Sequence, residues 1–90
     1  MSERDLRLDG NAAAGLLAEV FTAEATSAVA TCAACGAAGA VGTLHTYVQG
    51  PGTVLRCPGC AAVLMRFARV RDELVADLRG LGALRLPVGG

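Results

Sequence analysis

The sequence contains no tryptophan and no lysine, and its only aromatic residues are Phe21, Phe67 and Tyr47. Large side chains for building a core are therefore scarce. A chain of 90 residues also buries only about 60 to 65% of the surface that its unfolded form exposes. Small domains of this kind commonly depend on a bound metal ion or another cross-link for stability. Eight arginines without any lysine are typical of GC-rich coding sequence, which predicts a bacterial source.

The sequence also lacks a long apolar run. Nothing in it approaches the roughly 20 apolar residues of a membrane-spanning helix. The first residues, Met1 to Asp5, include acids and are not followed by the apolar stretch of a signal peptide. We therefore expect a cytoplasmic protein that has no membrane partner. In that reducing compartment, paired cysteines are more often metal ligands or redox groups than disulfides.

Negatively charged residues are missing from the middle of the chain. The net charge is zero, but residues 1–31 hold five acids and two arginines, whereas residues 32–71 hold no acid and four arginines, namely Arg56, Arg66, Arg69 and Arg71. Four thiolates and one dication would leave this middle segment with a charge near plus two. A nucleic-acid-binding surface usually shows a more strongly basic stripe, so the charge gives that function only weak support.

The four cysteines carry the clearest signal in the sequence. Cys32 and Cys35 form one CxxC pair, Cys57 and Cys60 form the second, and 21 residues separate the pairs. A two-residue spacer allows a tight turn to aim both thiolates at one ion while backbone amides donate to sulfur. Gly36 follows the first pair at a position where an unhindered backbone is often needed. The spacing predicts a zinc ribbon in which all four cysteines bind one structural zinc ion.

Three other interpretations of the cysteines remain open at this point. Four thiolates also suit iron, and CxxCG and CPxC sequences occur at the iron site of rubredoxins, but those proteins are acidic and rich in core aromatic residues. A dithiol redox site normally has a single CxxC in a βαβ context, which this sequence does not show. Disulfide pairing is the remaining alternative.

No catalytic set accompanies the cysteines. His45 is the single histidine, and no serine, second histidine or pair of carboxylates lies near it in the sequence. Four cysteines already complete a tetrahedral site, so we expect His45 to be a solvated strand residue and Tyr47 to cover the sheet. The sequence therefore predicts a protein that is not an enzyme, with no catalytic residue and no binding site for a cofactor other than the metal.

The hydrophobic pattern predicts a single small domain of the α+β or mainly β class. Residues 10–22 form an N-terminal helix, capped by Asp9 or Asn11, with its apolar face made by Leu16, Leu17, Val20 and Phe21. Residues 26–70 form the zinc ribbon, with strand-like pieces at 26–31, 41–48, 53–57 and 62–70. Residues 49–52, with their proline and glycines, predict a hairpin turn between the second and third of these pieces.

Two details of the later strands are specific enough to test. Alternation along residues 62–70 places Val63, Met65 and Phe67 on one face and Arg66 on the other. Residues 72–88 fit either a strand or a short helix. We favour a strand-like extension because Gly80, Gly82 and Pro87 interrupt any long helix.

The sequence resembles a family of small bacterial zinc-ribbon proteins, found mainly in high-GC Gram-positive species, whose function is unknown. The likeness covers nearly the whole chain. It rests on the two cysteine pairs together with residues 8–12, Gly15, Leu17, residues 51–52 and 54–58, Leu64, Arg66 and residues 77–81. The resemblance implies a metal-binding ribbon with an N-terminal helix and additional strands, and it implies no activity for particular residues.

These observations predict a non-enzymatic zinc-ribbon binding module that docks on a protein partner. One alternative is a nucleic-acid-binding ribbon associated with transcription or translation. A second alternative is a rubredoxin-like electron carrier that holds iron in place of zinc. Self-association into a homo-oligomer is also open, because the acidic N-terminal part and the basic ribbon could pair between chains.

Overall fold

The computed structural model describes residues 8–21, 25–50 and 52–87. Within these residues the chain forms one α-helix and two antiparallel sheets, in agreement with the predicted small, mostly β fold. The α-helix is α1 (Ala14–Val20), and the strands are β1 (Leu8–Asp9), β2 (Val29–Cys32), β3 (Ala38–Ala40), β4 (His45–Gln49), β5 (Gly52–Arg56), β6 (Val63–Val70), β7 (Glu73–Asp77) and β8 (Leu81–Arg85).

The strands divide into a five-stranded sheet in the order β1-β4-β5-β6-β7 and a three-stranded sheet in the order β3-β2-β8. The predicted hairpin is confirmed, because β4 and β5 are antiparallel neighbours with Gln49 opposite Gly52. Two predicted strand pieces are shorter than expected, since 3-10 turns occupy Ala25–Ser27 and Val41–Thr43. The second turn lies where the chain leaves β3 in one sheet for β4 in the other, a crossing that the sequence pattern does not reveal.

The N-terminal helix is present and shorter than the predicted span of 10–22. A 3-10 turn at Gly10–Ala13 leads into α1, and the carboxylate of Asp9, rather than Asn11, caps it by accepting the backbone N–H of Asn11 at 3.1 Å. Leu17 lies in the core, and Leu16 and Phe21 pack partly against it, as expected for the apolar face. The side chain of Val20 and the predicted end at residue 22 lie outside the described residues.

Strand β6 differs from the predicted alternation because it contains a bulge. Leu55 lies opposite Met65 and Arg56 lies opposite Val63, so one step along β5 corresponds to two steps along β6. The extra residue in β6 turns Leu64 into the core beside Met65 and leaves Val63 half-buried. Phe67 is buried and Arg66 is exposed on the other face, as predicted.

The C-terminal extension is strand-like, as favoured by the sequence, over Glu73–Asp77 and Leu81–Arg85. It forms two strands that join different sheets, since β7 pairs with β6 and β8 pairs with β2. The turn between them therefore passes from one sheet to the other beside the cysteines. The predicted end of the extension at residue 88 lies outside the described residues.

The core lies between the two sheets and the helix. Its largest fully buried side chains are Phe67, Leu17, Leu55, Leu64, Met65 and Val41. One polar residue, Thr46, is also fully buried and donates its hydroxyl to the carbonyl of Leu44 at 3.4 Å. No helix in the described ranges has the length and apolar character to cross a membrane.

Candidate metal centre

The two CxxC segments, which we call the first knuckle (residues 32–37) and the second knuckle (residues 57–62), belong to different sheets. Cys32 is the last residue of β2 in the three-stranded sheet, and Cys57 follows β5 in the five-stranded sheet. The first knuckle connects β2 to β3, and the second connects β5 to β6. The cysteines therefore meet at the junction of the sheets, where a bound ion would join them.

The four sulfur atoms form one compact cluster. Every Sγ of Cys32, Cys35, Cys57 and Cys60 lies within 4.8 Å of the others. Two of the four Sγ–Sγ distances between the knuckles are 3.6 Å, from Cys32 to Cys60, and 3.7 Å, from Cys35 to Cys57. Thiolates that surround an ion tetrahedrally at about 2.3 Å lie about 3.8 Å apart, so the cluster has the dimensions of a tetrahedral site.

Backbone hydrogen bonds shape the first knuckle. The N–H of Cys32 donates to the carbonyl of Ala37 at 2.8 Å, and the N–H of Gly36 donates to the carbonyl of Cys32 at 2.9 Å. Gly36 has φ +79°, a conformation that suits glycine because it has no Cβ. The N–H of Cys35 points at Cys32 Sγ at 3.5 Å. The expected role of Gly36 in this turn is confirmed.

The second knuckle repeats this pattern with different residues. The N–H of Cys57 donates to the carbonyl of Ala62 at 2.9 Å, and the N–H of Ala61 donates to the carbonyl of Cys57 at 2.8 Å. The N–H of Gly59 points at Cys57 Sγ at 3.4 Å. Ala61 is the counterpart of Gly36 and has φ +64°, although it carries a Cβ.

The electrostatics of the cluster favour a bound cation. The backbone N–H of Cys35 lowers the pKa of the Cys32 thiol to about 7, and the backbone N–H of Cys60 lowers the pKa of Cys57. The backbone N–H of Ala62 lowers the pKa of Cys60, but the sulfur of Cys32, burial and the other sulfurs outweigh it and raise that pKa to about 12. Four adjacent thiolates thus need a positive charge among them, and a dication supplies it.

In each knuckle a backbone group also forms a hydrogen bond with a residue outside the turn. The N–H of Ala33 in the first knuckle donates to the carbonyl of Gly80 in the β7–β8 turn at 3.0 Å. The guanidinium of Arg56, the last residue of β5, donates to the carbonyl of Ala61 in the second knuckle at 2.8 Å. Sequence reasoning missed both contacts. The signal in the sequence that could have pointed to the second contact is the alanine at position 61, where the first knuckle has Gly36.

His45, Tyr47, Arg56 and Arg66 lie on the outer face of the five-stranded sheet. His45 is half-buried in β4, opposite Asp9 and Arg56, and lies outside the sulfur cluster. Tyr47 faces the same way, and the guanidinium carbon of Arg56 lies 5.9 Å from the centre of its ring. Tyr47 lies opposite Val54, which in turn lies opposite Arg66. One aromatic ring and two arginines therefore share this face with two acids, Asp9 and Asp77, since Asp77 lies opposite Arg66.

The fold is small and mostly β, and its two knuckles bring four cysteines together. These features define a domain of the zinc-ribbon class. The chain belongs to a family of unknown function, DUF6510, whose sequence profile matches residues 2–89. This match confirms the resemblance to a family without an assigned function. Searches of curated proteins and of solved structures found no match.

Proposed function

We propose that this protein is a bacterial, cytoplasmic, non-enzymatic binding module whose four cysteines hold one structural zinc ion. The observation that supports the metal site is the cluster of four sulfur atoms within 4.8 Å of one another. When zinc is bound by four thiolates, its coordination is complete and no position remains for a substrate or an activated water. Binding of the metal would stabilise the folded domain, and the surface of the domain would recognise the partner.

Elemental analysis of the purified protein, with an absorption spectrum of the same sample, tests this proposal. We expect one zinc ion per chain and no visible colour, because zinc has a filled d shell. One iron per chain with a coloured oxidised form would contradict the zinc assignment and favour the rubredoxin-like electron carrier. Absence of any stoichiometric metal would overturn the metal centre itself.

The recognition function that we propose is docking on a protein partner. Its support is the cluster of four cysteines, because a zinc ion bound by all four would have no open position for a substrate, and recognition would then take place at the surface of the domain. Affinity capture with the zinc-loaded protein as bait tests it, with and without nuclease. A protein retained after nuclease treatment and at high salt would support the proposal, and loss of all retained proteins under these conditions would contradict it.

The outer sheet face favours one second candidate, which is binding of single-stranded nucleic acid. Tyr47 presents an aromatic ring with the Arg56 guanidinium over it, and Arg66 is exposed nearby. Such a ring can stack on a base while arginines contact phosphates. This candidate predicts that a labelled single-stranded oligonucleotide binds with an affinity that falls steeply with salt. It also predicts weaker binding by the Tyr47→Ala and Arg66→Gln variants, with Arg85→Gln as the control.

A further inference from the structure

The second knuckle contains a backbone conformation that its residue disfavours. Gly36 and Ala61 occupy equivalent positions, each donating its N–H to the carbonyl of the first cysteine of its pair. Both have positive φ, +79° at Gly36 and +64° at Ala61. An L-residue with a Cβ is strained in this left-handed region, whereas glycine is not. The turn that aims Cys57 and Cys60 is therefore less stable intrinsically than the turn of the first knuckle.

A contact on the second knuckle can offset this strain. Arg56 directly precedes Cys57, and its Nη1 donates to the carbonyl of Ala61 at 2.8 Å. This hydrogen bond links Arg56, the residue before the first cysteine of the knuckle, to Ala61, the residue after the second cysteine. Its acceptor is the carbonyl of the strained residue itself. The residue equivalent to Arg56 in the first knuckle is Thr31, whose side chain is too short for such a bridge.

The guanidinium of Arg56 is itself held in place. It lies 5.9 Å from the centre of the Tyr47 ring on the neighbouring strand β4, within the range of a cation–π interaction. Arg56 is half-buried, so the side chain is restricted by the sheet on which it lies. Less conformational entropy is lost when a restricted side chain forms its hydrogen bond.

We propose that Arg56 is the positioning residue of the second knuckle, which holds Ala61 in its left-handed conformation and so keeps Cys57 and Cys60 directed at the metal. The inference rests on the proposed metal site. It assigns to Arg56 a role in metal retention that acts through the backbone of Ala61. A glycine at position 61 would adopt the same conformation without support, and the role of Arg56 would then become dispensable.

The rate of metal release tests this role directly. The protein is loaded with cobalt(II), whose visible spectrum reports the four-thiolate site, and release is followed after addition of excess EDTA. Five proteins are compared, namely the wild type, Arg56→Gln, Ala61→Gly, the double variant Arg56→Gln/Ala61→Gly, and Arg85→Gln. Arg85 is an exposed arginine on β8, so its replacement removes the same charge without touching the second knuckle.

We expect Arg56→Gln to release cobalt about fivefold faster than the wild type, the change that corresponds to one net hydrogen bond. Arg85→Gln should match the wild type. Ala61→Gly should release no faster than the wild type, and the double variant should return to the rate of Ala61→Gly. The spectra of all five loaded proteins should agree, which shows that the same four sulfur ligands are present before release.

Two results would overturn the inference. One is an Arg56→Gln protein that releases cobalt at the wild-type rate, and the other is a double variant that releases it as fast as Arg56→Gln. If Arg56→Gln does not fold with cobalt, the double variant should fold, and its failure would likewise count against the role of Ala61. A wild-type protein that binds no cobalt would instead refute the proposed metal centre, so the two failures are distinguishable.

Discussion

Gly80 lies between the two knuckles. A Cβ at this position would be 1.9 Å from the carbonyl oxygen of Val63 and 2.7 Å from Cα of Leu64. Its own carbonyl accepts the N–H of Ala33 at 3.0 Å. The glycine therefore contacts the strand that follows the second knuckle and the turn of the first, and it can do so because it has no side chain.

Gly80→Ala should destabilise the domain by about 3 kcal/mol, at the upper end of the usual cost of overpacking. The backbone atoms that a methyl group would meet cannot move aside as a flexible side chain can. Urea unfolding of the zinc-loaded protein measures this loss as a lower midpoint at an unchanged slope.

Gly82→Ala is the matched control, because the nearest atoms to a Cβ at Gly82 would be Cα of Ala33 and the carbonyl oxygen of Thr31, both at 3.6 Å, an ordinary contact distance. We expect it to change the stability by less than about 0.5 kcal/mol, as for most surface substitutions. If the two substitutions lower the stability equally, the close approach of Gly80 to β6 does not determine the loss of stability in Gly80→Ala.

At the scale of elements, the β7–β8 turn is closed by an ion pair. Arg79 Nη2 lies 2.6 Å from Asp77 Oδ2, and the backbone N–H of Arg79 donates to Asp77 Oδ1 at 3.1 Å. The hydrogen bonds from the Arg79 side chain and backbone lower the pKa of Asp77 to about 2. The turn that carries Gly80 from one sheet to the other is thus shaped by a charged carboxylate.

The depressed pKa of Asp77 predicts a specific pH dependence. The stabilisation by this carboxylate is complete above its unfolded pKa of about 3.8 and is lost as pH falls toward about 2. Asp77→Asn should therefore lower stability by a small amount that is constant between about pH 8 and 5.5. Urea unfolding of both proteins across that range measures the difference. A difference that shrinks already above pH 5.5 would contradict the depressed pKa.

At the scale of the whole molecule, the sulfur cluster is the place where the two sheets meet. The first knuckle belongs to the sheet β3-β2-β8 and the second follows β5 in the larger sheet. The binding free energy of a structural zinc ion is about 10 to 16 kcal/mol in small zinc domains, as large as the whole stability of a typical domain. Metal binding and folding are therefore expected to occur together.

Cys57→Ser should unfold the domain rather than leave a folded protein without metal. Serine is a poor ligand for zinc at neutral pH, and three remaining thiolates cannot complete the tetrahedral site. Far-ultraviolet circular dichroism and the dispersion of the amide NMR spectrum should both show loss of the native fold.

Ala34→Ser controls for the Cys57→Ser experiment. Residue 34 is exposed between the two cysteines of the first knuckle, so the substitution adds a hydroxyl near the site and leaves all four sulfur atoms in place. We expect it to fold and to bind metal as the wild type does. A folded, soluble Cys57→Ser protein with native-like spectra would refute the coupling of folding to the metal.

Much of the fold was predictable because it depends on local spacing. The CxxC pairs, the glycine after the first pair and the 49–52 turn each act within a few residues. The burial of Leu64 was not predictable, because the bulge exists only through the pairing of β6 with β5. The 3-10 turn at Val41–Thr43 was missed for a similar reason, since it marks a change of sheet.

The sequence by itself determined that four cysteines in two tight turns would meet, and that strands joined by a hairpin would carry them. Tertiary structure alone decided that the knuckles belong to two different sheets and that the chain crosses between these sheets at Gly80. It also decided that the guanidinium of Arg56 reaches the carbonyl of Ala61. The physical reason is that the conformation of a turn depends on residues that are neighbours in the sequence. The fit of Gly80 against Val63 and the position of Arg56 over Tyr47 depend instead on segments that come together only when the sheets form.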